Sequence, residues 1–454
     1  MKTERPNILF VFSDQQRWDT LGCYGQPLPV TPNLDRMAAE GVRFERAFSC
    51  QPVCGPARAT LQTGRYATEL GCFTNHRRLP PDARTLAHYL GAAGYETGYV
   101  GKWHLASCGP GGGPDDFCTR PVPPDRRGGY CDFWLASDVL EFTSHAYDGC
   151  LFNAAMERVP FPPGRYRADV LTDGAIEFLN GRSGERPFFL FLSYIEPHHQ
   201  NDHGHYEGPH GSRERFRDFV VPEDLAGTGG NWREEYPDYL GCCASLDANL
   251  GRLRQTLAAR GWADNTVIIY TSDHGSHFCT RNSEYKRSCH DGSIHIPLVA
   301  TGPGFTGGRV VPQLVSLMDL PATVVAAAGL ARPAGMHGRA LQPLVAGTAD
   351  AWADEVFVQI SESQVGRALR TARWKYSVSA PDRDGGRDAG SEVYVEEYLY
   401  DLAGDPHERN NLVGSPDHAA VRATLAERLK ERMAEAGERV PVVRPAALAP
   451  PKSG

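Results

Sequence analysis

The 454-residue sequence contains no uninterrupted apolar stretch approaching the roughly 18 residues of a membrane helix, so it offers no spanning segment. It also lacks a surplus of positive charge. With 47 Lys+Arg against 55 Asp+Glu the formal net charge is −8, which excludes the basic footprint of a nucleic-acid binder or a generally basic membrane-binding face. An anionic ligand must therefore be met by local cations. Residues 1–6 are polar and the apolar run 7–12 is too short for a secretory h-region, so a soluble cytoplasmic protein is expected. The 12 cysteines contain no C-x-x-C pair, the spacing of thioredoxin-like and zinc-ribbon sites, and cytosolic thiols stay reduced. The adjacent Cys242 and Cys243 read as core packing. There is no G-x-S-x-G elbow to anchor a serine hydrolase. The Gly-rich stretch 109–114 lacks the GK[ST] ending of a P-loop and reads as a connecting loop. No internal repeat is present.

What the chain does have is a hydrophobic content of 41 %, ample for a sizeable core, and a length that suits one large and one smaller domain. Short β-rich runs alternate with helical stretches over the first two thirds, the pattern of an α/β fold with a large, mainly parallel sheet sandwiched by helices. From about 349 the pattern changes. Runs at 356–360, 368–377 and 398–401 read as a smaller antiparallel sheet, 416–436 as an amphipathic helix, and 440–454 as a Pro-rich tail with little periodicity. The expected division is 1–348 for the catalytic domain and 349–454 for a C-terminal α+β subdomain completing its pocket.

Ligands of open α/β sheets collect at the carboxyl ends of the strands. The run 8–12 ends in Ser13, Asp14 and Gln15; 97–100 ends in Gly101, Lys102, Trp103 and His104; 188–195 ends in Glu196, Pro197, His198 and His199; 266–271 ends in Ser272, Asp273 and His274. One such group is an ordinary cap or turn residue. Four strand ends carrying charge or imidazole point to one composite site. Cys54, in CGPAR followed by TLQTGR, supplies a nucleophile's position. Pro56 suits the first turn of a helix over 57–63, whose N-terminus favours an anion.

The string CGPAR with its downstream TGR resembles the sulfatase signature C-x-P-x-R, in which the cysteine is oxidised after translation to formylglycine. The resemblance covers most of the chain, because each strand end matches a family element in order. It implies a divalent cation held by Asp14, Gln15, Asp273 and His274 around Cys54, with Arg58 holding the ionised diol. Lys102 and His104 in GKWH, and Lys286 in KRSCHDGSIHIP, would flank the sulfate, and His198 would protonate the leaving oxygen. The hydrated aldehyde would attack sulfur, and its second hydroxyl, helped by His104, would release sulfate. A formylglycine-generating enzyme is the implied maturation partner. The chain departs from the family where Gln15 replaces an acid and His274 an amide. Hard oxygen donors favour Ca²⁺ or Mg²⁺, whereas an imidazole moves the preference towards Mn²⁺; Ca²⁺ is the expected ion.

The expected substrate is a small-molecule or oligosaccharide sulfate ester, with a sugar as the alcohol. Asn75, His76 and Arg77, which resemble the NHR element of phosphonate and phosphodiester hydrolases, and His199 are the candidate contacts to that alcohol. A phosphonate monoester or phosphodiester hydrolase of the same superfamily is the alternative, and a non-catalytic metal- or sugar-binding protein with unconverted Cys54 is the alternative of another class. The imidazole-rich segment 198–210 matches no closed zinc motif and is expected to form a mobile rim of the pocket.

Overall fold

The computed structural model describes residues 5–107, 109, 113 and 115–446; most of the Gly-rich stretch 109–114 and the end of the tail lie outside them. The larger sheet is built from β1 (Asn7–Ser13), β2 (Val42–Phe48), β3 (Glu96–Lys102), β4 (Phe133–Ser137), β5 (Cys150–Asn153), β6 (Arg158–Pro160), β7 (Phe188–Ser193), β8 (Thr266–Ser272), β9 (His295–Ile296), β10 (Leu298–Thr301) and β11 (Arg309–Ser316). Their order is β11-β2-β10-β8-β1-β7-β3-β4-β5-β6, with β9 paired to β2. The centre, β8-β1-β7-β3-β4, is wholly parallel. Antiparallel β10, β5 and β6 flank it.

The sequence of β1 explains why it lies in the middle. Both of its faces are buried, as its unbroken apolar run requires. Ile8, Phe10 and Phe12 pack in one layer with the helices Cys54–Thr63, Leu86–Ala92 and Asp319–Ala327. Leu9 and Val11 pack in the other with the helices Pro32–Glu40, Arg167–Asn180 and Trp232–Ala259. The parallel register brings four carboxyl ends to one edge: Ser13 pairs with Ser272, Phe12 with Ser193, and Gly101 with Ser193. At Gly101 β3 approaches β7 so closely that an added Cβ would stand 1.9 Å from the Ser193 carbonyl oxygen, and its φ of +104° also favours glycine.

A second sheet contains β12 (Glu355–Ile360), β13 (Gly366–Thr371), β14 (Trp374–Ser379), β15 (Val393–Asp401) and β16 (Val442–Arg444), in that order. One expectation is corrected here. The run 368–377 is not one strand but parts of β13 and β14, which fold back on each other at residues 372–373. Part of the tail is ordered as β16, parallel to β15. The helix Ala419–Glu435 covers this sheet through Leu425, Leu429 and Met433.

The two sheets share a core in which Phe48 and Leu314 meet Val356, Val358 and Ile360. β12 also reaches the strand-to-helix connection before Cys54. Gln359 N–H donates to the Cys50 carbonyl at 2.8 Å, and Gln51 Nε2 to Ser361 Oγ at 2.9 Å. The smaller sheet thus props the segment that presents Cys54. Among the described residues no helix is long and apolar enough to cross a membrane, and no disulfide joins two of the described cysteines.

Candidate active site

The helix expected from 57 opens three residues earlier, at Cys54, so Cys54 is its first residue and Pro56 its third. All ten residues of this helix are buried. No side chain caps its N-terminus from Val53; instead Asn75 Oδ1 accepts the Gly55 N–H at 2.9 Å. The positive end of the helix dipole therefore lies at Cys54, where it favours an anion.

Every strand end named above delivers a side chain to Cys54 or to its neighbours. The thiol lies 3.3 Å from Asp14 Oδ1 and 3.3 Å from His274 Nε2, and Lys286 Nζ donates to it at 2.8 Å. Lys286 Nζ also stands 3.1 Å from His198 Nε2. Asp14 Oδ2 receives Lys102 Nζ and Arg58 Nη2, each at 2.8 Å. The other nitrogen of the Arg58 fork donates to Ser193 Oγ at 2.6 Å and to the Lys102 carbonyl at 2.9 Å. Arg58 is thus committed to Asp14 and the β3 and β7 strand ends, and braces the site from below.

Electrostatics follow from this crowding. Burial pushes the Cys54 thiol up, but Lys102, Lys286 and His274 together outweigh it and hold the group well below a free thiol's range. Burial and Cys54 raise Asp14, yet Lys102, His198 and Arg58 keep it below the usual carboxylate range. Asp273 is pushed up to about 7 by burial and by the neighbouring Asp14. Burial and Lys286 lower His198.

Asp14, Cys54, Asp273 and His274 are all buried, with one donor atom from each within 4.8 Å of the others. Two further observations fit this set to a divalent cation. Gln15 Oε1 and Asp273 Oδ2 are buried with no hydrogen-bond partner among the described residues, an expensive arrangement for buried acceptors unless a cation completes it. In addition, His274 Nδ1 is 3.0 Å from the Gly275 carbonyl oxygen. A proton donated there leaves Nε2 as an acceptor towards the cluster. Gln15 has φ +67°, and its Nε2 donates to Tyr206 Oη at 2.5 Å, which fixes the amide plane.

A cavity of about 190 Å³ opens above Cys54, lined by Lys102, His104, His198 and Lys286 and by Asn75 and His76. His104 has φ +57° and a buried Nδ1 without a partner. Two sequence-derived contacts to the alcohol do not line this cavity. Arg77 is exposed and lies over the Phe73 ring, 4.2 Å from its centroid. His199 packs between Tyr206 and Tyr285, with ring centroids 5.1 Å from each. Asn75 reaches the mouth, yet its amide oxygen is held by Gly55 and its N–H by Glu362 at 2.6 Å.

The rest of the lining includes Glu141, Asn201, Tyr285, Arg287 and Glu362, none of which the sequence reading named. Glu141 follows β4, a fifth parallel strand end. There Asp138 receives the Leu105, Ala106 and Ser107 N–H groups at 3.0, 3.0 and 2.9 Å, fixing the loop that carries His104. Extending the strand-end rule to residues 133–137 would have found both. Arg287 and Glu362 form an ion pair across the two sheets' junction, and no local pattern predicts that meeting.

This constellation coincides with a match of residues 6–330 to the family model described as Sulfatase. The chain belongs to the sulfatase family. Sulfatases of this family are sulfuric ester hydrolases, and so is this chain. A second family model, N-sulphoglucosamine sulphohydrolase, C-terminal, matches residues 283–435 of the sulfatase. An ulvan-active sulfatase of Formosa agariphila is 28 % identical to it over 456 residues, covering 96 % of this chain and 82 % of the relative. The solved structure of yidJ from Bacteroides fragilis superposes with a TM-score of 0.80 at 25 % identity, covering 96 % of this sulfatase and 97 % of that chain. A phosphonate monoester hydrolase of Agrobacterium radiobacter superposes with a TM-score of 0.75 at 25 % identity, covering 95 % and 96 %.

Proposed function

We propose that this sulfatase hydrolyses sulfate monoesters carried on a sugar, with Cys54 converted to formylglycine and a divalent cation, Ca²⁺ in the first instance, held by Asp14, Gln15, Asp273 and His274. One observation carries the reading: the Cys54 sulfur sits at a buried helix N-terminus with Lys286 at 2.8 Å and Asp14 and His274 each at 3.3 Å. When converted, residue 54 supplies a hydrated aldehyde as the nucleophile. When bound, the cation supplies positive charge that lowers a hydroxyl's pKa and neutralises sulfate.

The chain's own groups do the rest. Lys102 and Lys286 bind sulfate oxygens as charge develops, fixed in place before reaction by Asp14 and by the Cys54 position. Arg58 holds Asp14 in the orientation that faces residue 54. The leaving oxygen takes its proton from the His198–Lys286 pair, which shares one across 3.1 Å. His198 Nδ1 is 2.6 Å from the His199 carbonyl oxygen, so Nε2 is the atom presented to the site. The single negative charge of an arriving sulfate monoester acts against the burial and the Lys286 charge that lower His198. His104, which also lines the cavity, accepts a proton during sulfate release.

The sugar is supported by the hydroxyl-bonding lining of Glu141, Asn201, Tyr285 and Glu362 and by the sulphoglucosamine family model over the C-terminal third. The likeness to a phosphonate monoester hydrolase favours a second reading, hydrolysis of phosphonate monoesters or phosphodiesters at the same cluster. Two measurements test these readings, and the second separates them. The Cys54 peptide from a host with maturation machinery is expected to be about 18 Da lighter than the cysteine form. The mature protein is expected to turn over sulfated monosaccharides with higher kcat/KM than phosphodiesters. A preference for diesters overturns the sulfate reading, and a wholly unmodified, inactive Cys54 overturns both.

A further inference from the structure

The imidazole-rich run after His198 meets residues 145–148, between β4 and β5, and forms a second set of metal-ligating side chains. Donor atoms of His145, Asp202 and His203 all lie within 4.8 Å of one another, and His203, His205 and Glu207 meet the same limit. None of these residues lines the cavity above Cys54.

The two segments are fastened together and do not form the loose rim expected from composition. Gln200 N–H donates to the His205 carbonyl at 2.9 Å, and Gly204 N–H to the Gln200 carbonyl at 2.9 Å, closing the turn that carries Asp202 and His203. From the other side Glu207 Oε2 accepts the Ala146 N–H at 2.9 Å, and Tyr166 Oη donates to the Glu207 carbonyl at 2.8 Å. This clamp sets His145 and His203 ring to ring, with centroids 4.1 Å apart and planes 12° from parallel.

The donor chemistry is that of a zinc-class ion. Zn–N and Zn–O bonds of about 2.0–2.2 Å in a tetrahedron place neighbouring donors roughly 3.3 Å apart. His145 Nε2 and Asp202 Oδ2 stand 2.8 Å apart, so a cation replaces the shared proton when these side chains move outward and the His203 ring turns out of its stack on His145. Glu207 faces His203 Nδ1, the carboxylate–histidine arrangement that fixes a ring with its other nitrogen towards a metal. Two imidazoles and one carboxylate select Zn²⁺, Co²⁺ or Ni²⁺ over Ca²⁺.

We infer that His145, Asp202 and His203 form a second divalent-metal site for a zinc-class ion, with Glu207 orienting His203. Asp202 adjoins Asn201, whose Nδ2 donates to Glu141 Oε1 at 2.9 Å and whose Oδ1 accepts from Tyr285 Oη at 2.8 Å. An ion on Asp202 therefore steadies a wall of the cavity without entering it.

The test is calorimetric titration of zinc chloride into the full chain in excess Ca²⁺, for the wild type, Cys54→Ala, His203→Ala and Asp202→Asn. The expected result is one zinc equivalent bound by the wild type and by Cys54→Ala, and affinity at least tenfold weaker in both His203→Ala and Asp202→Asn. Asp202 and His203 are exposed and Cys54 is buried, and unchanged circular dichroism and urea midpoints check that these variants fold. Zinc uptake that disappears in Cys54→Ala and persists in His203→Ala assigns the ion to the buried cluster and overturns the inference. Absence of zinc uptake by the wild type overturns it as well.

Discussion

Arg167 links the fold to the strand end that carries His198. It is 2 % exposed, and its Nε donates to Glu196 Oε1 at 2.8 Å while Nη1 donates to the Ser144 carbonyl at 3.0 Å. Glu196 is 1 % exposed, and its second oxygen has no partner. Arg167→Met keeps the bulk of the side chain but leaves Glu196 as a buried, uncompensated charge, a loss of about 3–5 kcal/mol. With a urea slope on the order of 3 kcal/mol/M, the midpoint should fall by roughly 1–1.7 M. Because His198 lies two residues beyond Glu196, kcat should fall at least tenfold as the imidazole is displaced. The double variant Arg167→Met/Glu196→Gln removes the stranded charge and should recover at least half of the lost stability, since removing both partners costs much less than removing one. Equilibrium unfolding of the four proteins in the cycle decides the matter. A single variant as stable as the wild type, or a double variant no more stable than the single, refutes the argument that Arg167 acts by neutralising Glu196.

Gly101→Ala should destabilise by about 3 kcal/mol or more, because it combines a positive φ with a Cβ 1.9 Å from the Ser193 carbonyl oxygen; thermal unfolding reads the loss. Acid should destabilise the protein through His277 and His295, lowered by burial to about 4 and about 3. Both are neutral when folded and take up a proton near pH 6.5 when unfolded, so their contribution is complete above pH 6.5 and is lost as pH falls. Together they contribute about 2.7 kcal/mol per pH unit between 6.5 and 4, and His295→Phe, between Trp18 and Phe48, should halve that part of the slope in urea titrations at stepped pH. His274→Asn exchanges an imidazole for an oxygen donor and should raise the ratio of activity restored by Ca²⁺ to that restored by Mn²⁺ at least fivefold after chelation, measured on a sulfate ester.

The central strands were legible because each is a short apolar run between polar punctuation, and burial on both faces leaves few other assignments for such runs. The composite site was legible for the same reason. Parallel strands in register must bring their carboxyl ends to one edge, so Asp14, Lys102, His198 and Asp273 converge once the runs are recognised. The helix start was missed because Cys54 and Gly55 carry no capping signal of their own; Asn75, twenty residues on, supplies the N–H partner. Arg77 was placed by its resemblance to the NHR element and His199 by its place beside His198, whereas neither lines the cavity: Arg77 lies over Phe73 and His199 stacks behind Tyr285.

What the sequence by itself determined is the parallel sheet, the place of Cys54 before its helix and the side chains at four strand ends, because local periodicity and chain order are enough to fix them. Only the tertiary structure decided which residues wall the cavity. Glu141, the pair Tyr285 and Arg287, and Glu362 come from three separate connections, brought together by the packing of the layers. The same holds for His145 against His203, where a clamp between distant segments turns an unpatterned run of histidines into a set of ligands. Contacts of long sequence separation depend on how the layers pack, and no window of local sequence contains that information.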